Sequence, residues 1–399
     1  MYCLSDGAFF YFLLIYAILV IGSEVMKELL SPVGNKECLY AAINNGADAI
    51  YLAGTNFGAR KYAKNFTNEE LKEAVDYAHL YGVKVYVTVN TIIYEEEIEE
   101  LLKYIDYLYQ IGVDALIMQD IGMISLVRQK YPNLEIHAST QMHNHNNEGI
   151  TLLKELGIKK VVLDRELSLE EIKKINVDIE KEVFIHGALC NSYSGCCLFS
   201  SMNGGRSGNR GECVQSCRLP YKLIKNNSYI NTKNKYLLST KELNTIDNFD
   251  KLLNSDITSF KIEGRMKSPA YVGYVTRIYR KLIDNYNKQI VNQEEKENLK
   301  ILFNREFTSG YLFNDRVMNT FTSNHQGLEI GKVLEVNSKK IKIKLYNDLY
   351  QEDGIRFKNS NLGMIVNFIY NEKNLLINKA STGDIIYLDN KINLKDKDI

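Results

Sequence analysis

A TIM-type (β/α)8 barrel followed by a small all-β domain is the α/β architecture this sequence predicts, and three observations predict it. Short β-rich runs alternate with amphipathic helical stretches eight times in about 260 residues after Met26. Several of those runs, IYLAG, VYVTV, LIMQD and VVLD, are almost continuously apolar, as parallel strands covered on both faces must be. After about Gly310 the pattern changes to short alternating strands separated by Asn, Asp and Gly turns. A doubly wound open sheet is the alternative for the first part.

Taken in order, strands are expected at Glu28–Val33, Ala49–Gly54, Lys84–Asn90, Ala115–Asp120, Glu135–Thr140, Lys159–Asp164, Glu182–Gly187 and Ser259–Arg265. Between them, Thr67 with Glu70 three residues on reads as a capping box that starts a helix. Ile98, Leu101, Leu102 and Ile105 share one face of a helix over Glu95–Leu108, so the acidic run Glu95–Glu100 is expected on its solvent face, with no chemistry implied. The seventh connection is anomalous: a loop at 188–258 holds five of the cysteines. Insertions after a strand's C-terminal end emerge on the catalytic face of such a barrel, so this loop should roof the mouth. The strand ends there would offer Asn90, Gln119, Asp120, Thr140, Gln141, His186, Glu263 and Arg265. The barrel domain is expected over 26–310 and the small β domain over 327–390, followed by the polar tail 391–399. Strands of the small domain are expected at Ile330–Val336, Lys340–Leu345, Gly354–Phe357, Met364–Tyr370, Asn374–Ile377 and Asp384–Leu388.

Hydrophobic residues at 45% and charged residues at 25% exclude a disordered, coiled-coil or collagen-like chain. Lys+Arg and Asp+Glu both total 49, so the global charge says nothing about partners. The balance hides an asymmetry: Gly204 to Arg280 carries 14 Lys/Arg against 6 Asp/Glu, which is net +8. Such a stretch suits an anionic ligand or a solvated basic face.

Residues 8–22 form an uncharged apolar run, too short for a spanning helix of roughly 20 residues. No basic residue precedes it, as a signal peptide requires. Residues 1–25 therefore read as an upstream leader from a misassigned start, and the chain as cytoplasmic without stable membrane association; a membrane anchor at 8–22 is the alternative.

Of the seven cysteines, Cys190, Cys196, Cys197, Cys213 and Cys217 fall within 28 residues, with Cys38 expected in a helix and Cys3 in the leader. One tight cluster with an odd count fits a metal site in a reducing compartment. Cys190, Cys197, Cys213 and Cys217 give the spacing C-x6-C-x15-C-x3-C. That spacing lacks the paired short knuckles of a zinc ribbon and favours an iron–sulfur cluster, with a zinc staple as the alternative. Cys196 reads as a packing cysteine or a spare ligand. Arg206 and Arg210 sit in the glycine-rich GGRSGNRG and Arg218 follows the last cysteine, so all three are candidate anion contacts. His143 and His145 are expected to cap and hydrogen-bond on their loop. The chain has no zinc-protease helix motif, no nucleophile elbow and no Walker loop.

These motifs are familiar together. EVFIHGALCNSYSGCCLFS followed by GGRSGNRGECVQSCRLPY closely resembles the signature of the bacterial collagenase-like peptidase family U32. The agreement extends to ELLSPVGN, GADAIYLAG at Gly46–Gly54, FGARKYAKNF at Phe57–Phe66, STQMHNHN at Ser139–Asn146, FKIEGRMKSPAYV at Phe260–Val272 and NREFTSGYL at Asn304–Leu312. It covers roughly Met26 to Gly331.

The resemblance implies oxygen-independent hydroxylation rather than the proteolysis in the name. Several members carry a four-iron four-sulfur (4Fe-4S) cluster and take prephenate as hydroxyl source. Their substrates are the tRNA wobble uridine, which becomes 5-hydroxyuridine, a ribosomal cytidine, or ubiquinone precursors; others are described as collagenases. Cys190, Cys197, Cys213 and Cys217 match the cluster ligands. A dicarboxylate such as prephenate, and an RNA substrate presented as an anticodon loop, would both use the basic stretch. By position, His186, Glu263 and Arg265 are the catalytic candidates. Arg60, Gln141, Arg206, Arg210, Arg218 and Lys261 are the substrate-binding candidates, and Tyr193 or Tyr221 would stack on a base. The single barrel with a compact C-terminal part resembles the tRNA-modifying branch. A peptidase, a hydroxylase of ribosomal RNA or another small aromatic substrate, and a subunit working with a paralogous family partner remain as alternatives.

Overall fold

A computed structural model describes residues 27–285, 290–358 and 362–395. The expected leader, and with it the apolar run, lies outside the described residues, as do the last four positions of the tail. No described helix is long and apolar enough to cross a membrane.

Eight parallel strands close into a barrel: β1 (Glu28–Pro32), β2 (Ala49–Leu52), β3 (Lys84–Val89), β4 (Ala115–Met118), β5 (Glu135–Ala138), β6 (Lys160–Val162), β7 (Glu180–Ala188) and, completing the ring, Ser259–Ile262. That last strand pairs with β7 through Ser259↔Glu182 and with β1 through Glu28↔Ser259, which closes the barrel. Helices α1 (Lys36–Asn44), α2 (Asn68–Leu80), α3 (Ile98–Gln110), α4 (Ile121–Lys130), α5 (Asn147–Glu155) and α6 (Leu169–Ile172) fill the connections. Side chains at the expected apolar spacing bury the seam, such as Leu101, Ile105 and Leu108 on α3. Thr67 and Glu70 cap α2 reciprocally, as their spacing predicts.

The barrel interior is mixed. Leu30, Ala49, Tyr51, Tyr86, Ala115 and Ile117 form a compact apolar group. Beside it, Glu28 takes the Lys160 ammonium at 2.6 Å and the Ser259 hydroxyl at 2.7 Å. Glu182 takes Lys261 at 2.8 Å. Both of these carboxylates thus have a cationic partner, the condition under which burial is tolerated.

The long insertion after β7 holds elements that its sequence does not announce. A short helix α7 (Phe199–Gly204) is followed by a hairpin, β8 (Leu223–Lys225) with β9 (Ser228–Ile230). Strand β10 (Glu242–Asn244) then returns antiparallel to β7, and helix α8 (Phe249–Leu253) leads into the eighth barrel strand, β11. After it come α9 (Pro269–Asp284), α10 (Gln293–Leu302) and β12 (Phe307–Thr308), which lies against β10.

The chain divides into two compact units, one ending at Asn324 and the other starting at His325. The second unit is all β, with five strands in one antiparallel sheet and two further two-stranded pairs. Ile341, Ile343, Leu345, Val366, Ile369, Ile386 and Leu388 make its core. One expected strand, Met364–Tyr370, is two: Gly363–Ile365 and Ile369–Asn371. The two halves pair with different strands: Gly363–Ile365 with Gly354–Arg356, and Ile369–Asn371 with Leu376–Ile377 and Ile385–Asp389.

Candidate active site at the barrel mouth

The C-terminal ends of β2, β6 and β11 bring three arginines around one carboxylate. Glu263 leaves β11, with Arg60 Nη2 3.7 Å and Arg165 Nη2 3.6 Å from its two oxygens. Burial pushes the Glu263 carboxyl up, but the charges of Arg60, Arg165, Arg265 and Lys261 outweigh it and hold the group below its ordinary value. Glu263 is therefore ionised at neutral pH. Arg165 is only 11% exposed and rests on the Phe184 ring at 4.0 Å. Arg265 is 5% exposed and bonds Thr88 Oγ1 at 3.1 Å and Asn65 Oδ1 at 2.6 Å. Its Nε and that of Arg165 are buried without a partner. Burial, then the neighbouring Arg60, pulls Arg265 down to about 10, so it remains a cation. Glu263 thus faces three guanidinium groups, of which Arg265 has no ion-pair partner among the described residues.

The cysteine loop lies across this mouth. Gly211 has φ +81°, and a Cβ there would come within 2.8 Å of the Gly58 carbonyl and the Lys61 amide, so the loop meets the β2 turn backbone to backbone. The Lys61 amide donates to the Gly211 carbonyl at 3.2 Å, and Lys61 pairs with Glu212. Gly195, with φ +91°, sits flat on Gln141. On the β6 side the Ser194 hydroxyl donates to Glu166 at 2.5 Å. The insertion is thus pinned at several points around the rim.

Four of the loop's thiols form one electrostatic group. Burial raises the Cys217 thiol, Arg218 opposes that, and Cys190, Cys213 and Cys197 each raise it further. Cys213 and Cys190 also act on Arg60. Cys196 is exposed, with its Sγ 3.0 Å from Nε2 of His143. Among the described residues no three His, Cys, Asp or Glu side chains converge as ligands of a single metal ion.

Several expected site residues are placed elsewhere or already engaged. His186, a catalytic candidate, is 1% exposed among the rings of Tyr271, Tyr279 and Phe307. Burial, then Lys267, lowers its pKa to about 3, so it is neutral and closed to solvent. Arg210 is clasped by both oxygens of Glu97, which sits at the N-terminus of α3. Arg218 spends its guanidinium on Ser239, Thr240 and the Leu189 carbonyl, holding the loop's base together. Lys261 is bound to Glu182 below the mouth. Gln141 donates to the Asn90 carbonyl at 2.9 Å while its stem underlies Gly195. Arg206 stays exposed, 5.7 Å over the Tyr62 ring.

Arg165 is the site residue that the sequence reading missed. The signal was present: it follows Asp164 at the end of a barrel strand, the same position from which Glu263 and Arg265 were chosen.

Residues 34–321 match the profile of peptidase family U32. A 23S rRNA 5-hydroxycytidine synthase of Escherichia coli is 44% identical over 259 residues, 64% of this chain and 39% of that protein. This chain therefore spans well under half the length of that relative. The tRNA hydroxylation protein P1 of Bacillus subtilis is 40% identical over 71% of this chain and 70% of its own. A collagenase of Porphyromonas gingivalis is 35% identical over 73% and 75% respectively.

Proposed function

We propose, from the premise that this chain belongs to peptidase family U32, that it is an oxygen-independent RNA hydroxylase. The reaction class rests on relatives named for hydroxylating ribosomal and transfer RNA. Within that class we assign it the tRNA wobble uridine, converted to 5-hydroxyuridine in the cytoplasm with prephenate as hydroxyl source.

The observation that carries the reading is the backbone contact of the cysteine loop at Gly211 with the turn that bears Arg60, which sets the thiol-bearing insertion against a cationic mouth. The donor chemistry suits a four-iron four-sulfur cluster: four soft thiols lie in one insertion, and Cys190, Cys213 and Cys197 all bear on Cys217. Cys190, Cys197, Cys213 and Cys217 would hold it. When bound, such a cluster supplies one-electron chemistry that needs no oxygen.

The chain's own residues do the rest. Arg60, Arg165 and Arg265 offer planar forks to the two carboxylates of prephenate, while ionised Glu263 keeps the first two oriented. The loop, pinned at Gly195 and Gly211, holds the thiols over the rim of the mouth. A target base must arrive unstacked, as an anticodon loop presents it.

One observation favours a second reading. The exposed Cys196–His143 pair has the spacing of a thiol nucleophile and its base, which a peptidase would use. Quantitative nucleoside mass spectrometry of tRNA decides between them, from cells lacking the gene and cells carrying it as wild type or Cys213→Ser. Hydroxyuridine restored by wild type alone supports the hydroxylase. Unchanged tRNA in a strain without a redundant paralogue overturns it.

A further inference from the structure

The β8–β9 hairpin of the insertion is exposed along both strands. Leu223 pairs with Ile230, Ile224 with Tyr229 and Lys225 with Ser228. The turn residues Asn226 and Asn227 have φ +50° and +58°, the type I′ geometry that asparagine tolerates and that keeps a two-residue hairpin tight. All six strand residues are exposed, Tyr229 at 70% and Ile224 at 57%. An isolated two-stranded hairpin is marginal in water, so a ribbon that shows four large apolar side chains is built for a partner.

Charge identifies the partner. Between Cys213 and Glu242 the chain has no Asp or Glu; Lys222, Lys233 and Lys235 flank the ribbon and Lys225 ends its first strand, all four exposed. The Lys222 ammonium lies 5.1 Å over the Tyr229 ring, on the same face. Lysines interleaved with an exposed aromatic are what single-stranded nucleic acid binds, phosphates to the cations and a base to the ring. A second copy of the ribbon would set lysines against lysines.

The hairpin is also rooted beside the thiols. Its base is closed by the Tyr221 amide on the Lys235 carbonyl at 2.7 Å. The Tyr221 hydroxyl donates to the carbonyl of Ser216, next to Cys217, at 2.8 Å.

We propose that the β8–β9 ribbon is an RNA-docking surface, with Lys222, Lys225, Lys233 and Lys235 on phosphates and Tyr229 under a base. It presents the RNA to the cysteine-lined mouth. This rests on the RNA reading above and adds the surface that holds the substrate.

The test is tRNA binding by the full-length, cluster-loaded protein, with an unmodified transcript carrying a wobble uridine, measured across a range of salt. One variant changes the four lysines to Gln; the other is Tyr229→Ala. All five side chains are exposed, so both variants should melt as wild type does. The lysine variant should lose at least about tenfold in affinity and flatten the log K against log salt slope by about two charges or more. Tyr229→Ala should lose about tenfold with the slope unchanged. Wild-type affinity and slope in both variants would overturn the proposal. So would variants that bind tRNA normally but change the protein's sedimentation, which would make the ribbon a protein contact. Nucleoside analysis separates the two claims: hydroxylated tRNA with ribbon-independent binding sinks the ribbon alone, and ribbon-dependent binding without hydroxylation sinks the enzyme assignment alone.

Discussion

Arg210 in the cysteine loop and Glu97 at the head of α3, 113 residues apart in the chain, are joined by a two-pronged ion pair. Arg210 also donates to the Ile92 carbonyl and lies 4.4 Å over the Tyr94 ring. A fork this well seated ties the roof to the rim, since both side chains are about a quarter exposed. Glu97→Gln should therefore loosen the loop more than the barrel. The global melting temperature should move little, with a double-mutant coupling to Arg210→Ala of about 1 kcal/mol. Hydrogen exchange over residues 190–217 should rise, and equal exchange in variant and wild type would show that the clasp is incidental.

The contact of Cys196 with His143 makes a second prediction. Cys190→Ser, Cys197→Ser, Cys213→Ser and Cys217→Ser should each lower bound iron and sulfide and abolish tRNA hydroxylation. Cys196→Ser should leave both in place, because its sulfur faces His143. Iron lost from the Cys196 variant would move the ligand set. Peptide cleavage by wild type that vanishes only in Cys196→Ser would favour the thiol peptidase.

His186 predicts a pH dependence. Its pKa falls from 6.5 to about 3 in the fold, so the unfolded chain takes up a proton that the folded one refuses. The group costs nothing above pH 6.5. Below that, stability should fall by about 1.4 kcal/mol per pH unit until the pH nears 3. His186→Phe, placed among Tyr271, Tyr279 and Phe307, should flatten that slope in urea midpoints measured from pH 7 to pH 4. Because the ring is closed to solvent, hydroxylation at pH 7 should survive. Loss of activity without loss of stability would return His186 to the catalytic list.

The barrel was legible because its signals are local. Apolar runs, caps such as Thr67 with Glu70, and helix faces such as Leu101 with Ile105 each lie within one turn or strand. The site was legible where position alone decides, as with Glu263 and Arg265 at the end of β11. It was misread where a long-range partner decides. Nothing near Arg210 in sequence announces Glu97, and nothing near Arg218 announces the Leu189 carbonyl. Short elements such as β10, three residues long, carry no period to detect. Met364–Tyr370 reads as one strand because the alternation continues through Val366, while its two halves pair with different strands distant in sequence.

The Arg265 cation at the mouth gives the last prediction. Arg265 is buried, its hydrogen bonds go to neutral Thr88 and Asn65, and its Nε is left without a partner. Arg165 shares Glu263 with Arg60 and likewise keeps an unpartnered Nε. A buried cation without a carboxylate of its own costs stability unless a ligand supplies the missing charge. Two carboxylates on a small molecule would supply it, whereas a polymer backbone reaches a side chain that is 5% exposed with difficulty. Arg165→Gln and Arg265→Gln should therefore raise the KM for prephenate by about ten- to a hundredfold, the worth of one charge-assisted contact of about 1.5–3 kcal/mol. Affinity for tRNA should stay within about twofold of wild type, because neither arginine meets the backbone. Arg60, 41% exposed, should give a smaller effect on the same constant when changed to Gln. Isothermal titration with malonate, a dicarboxylate that cannot react, checks the site apart from turnover. Equal malonate binding by wild type and Arg265→Gln would mean that this charge serves the fold and not a ligand.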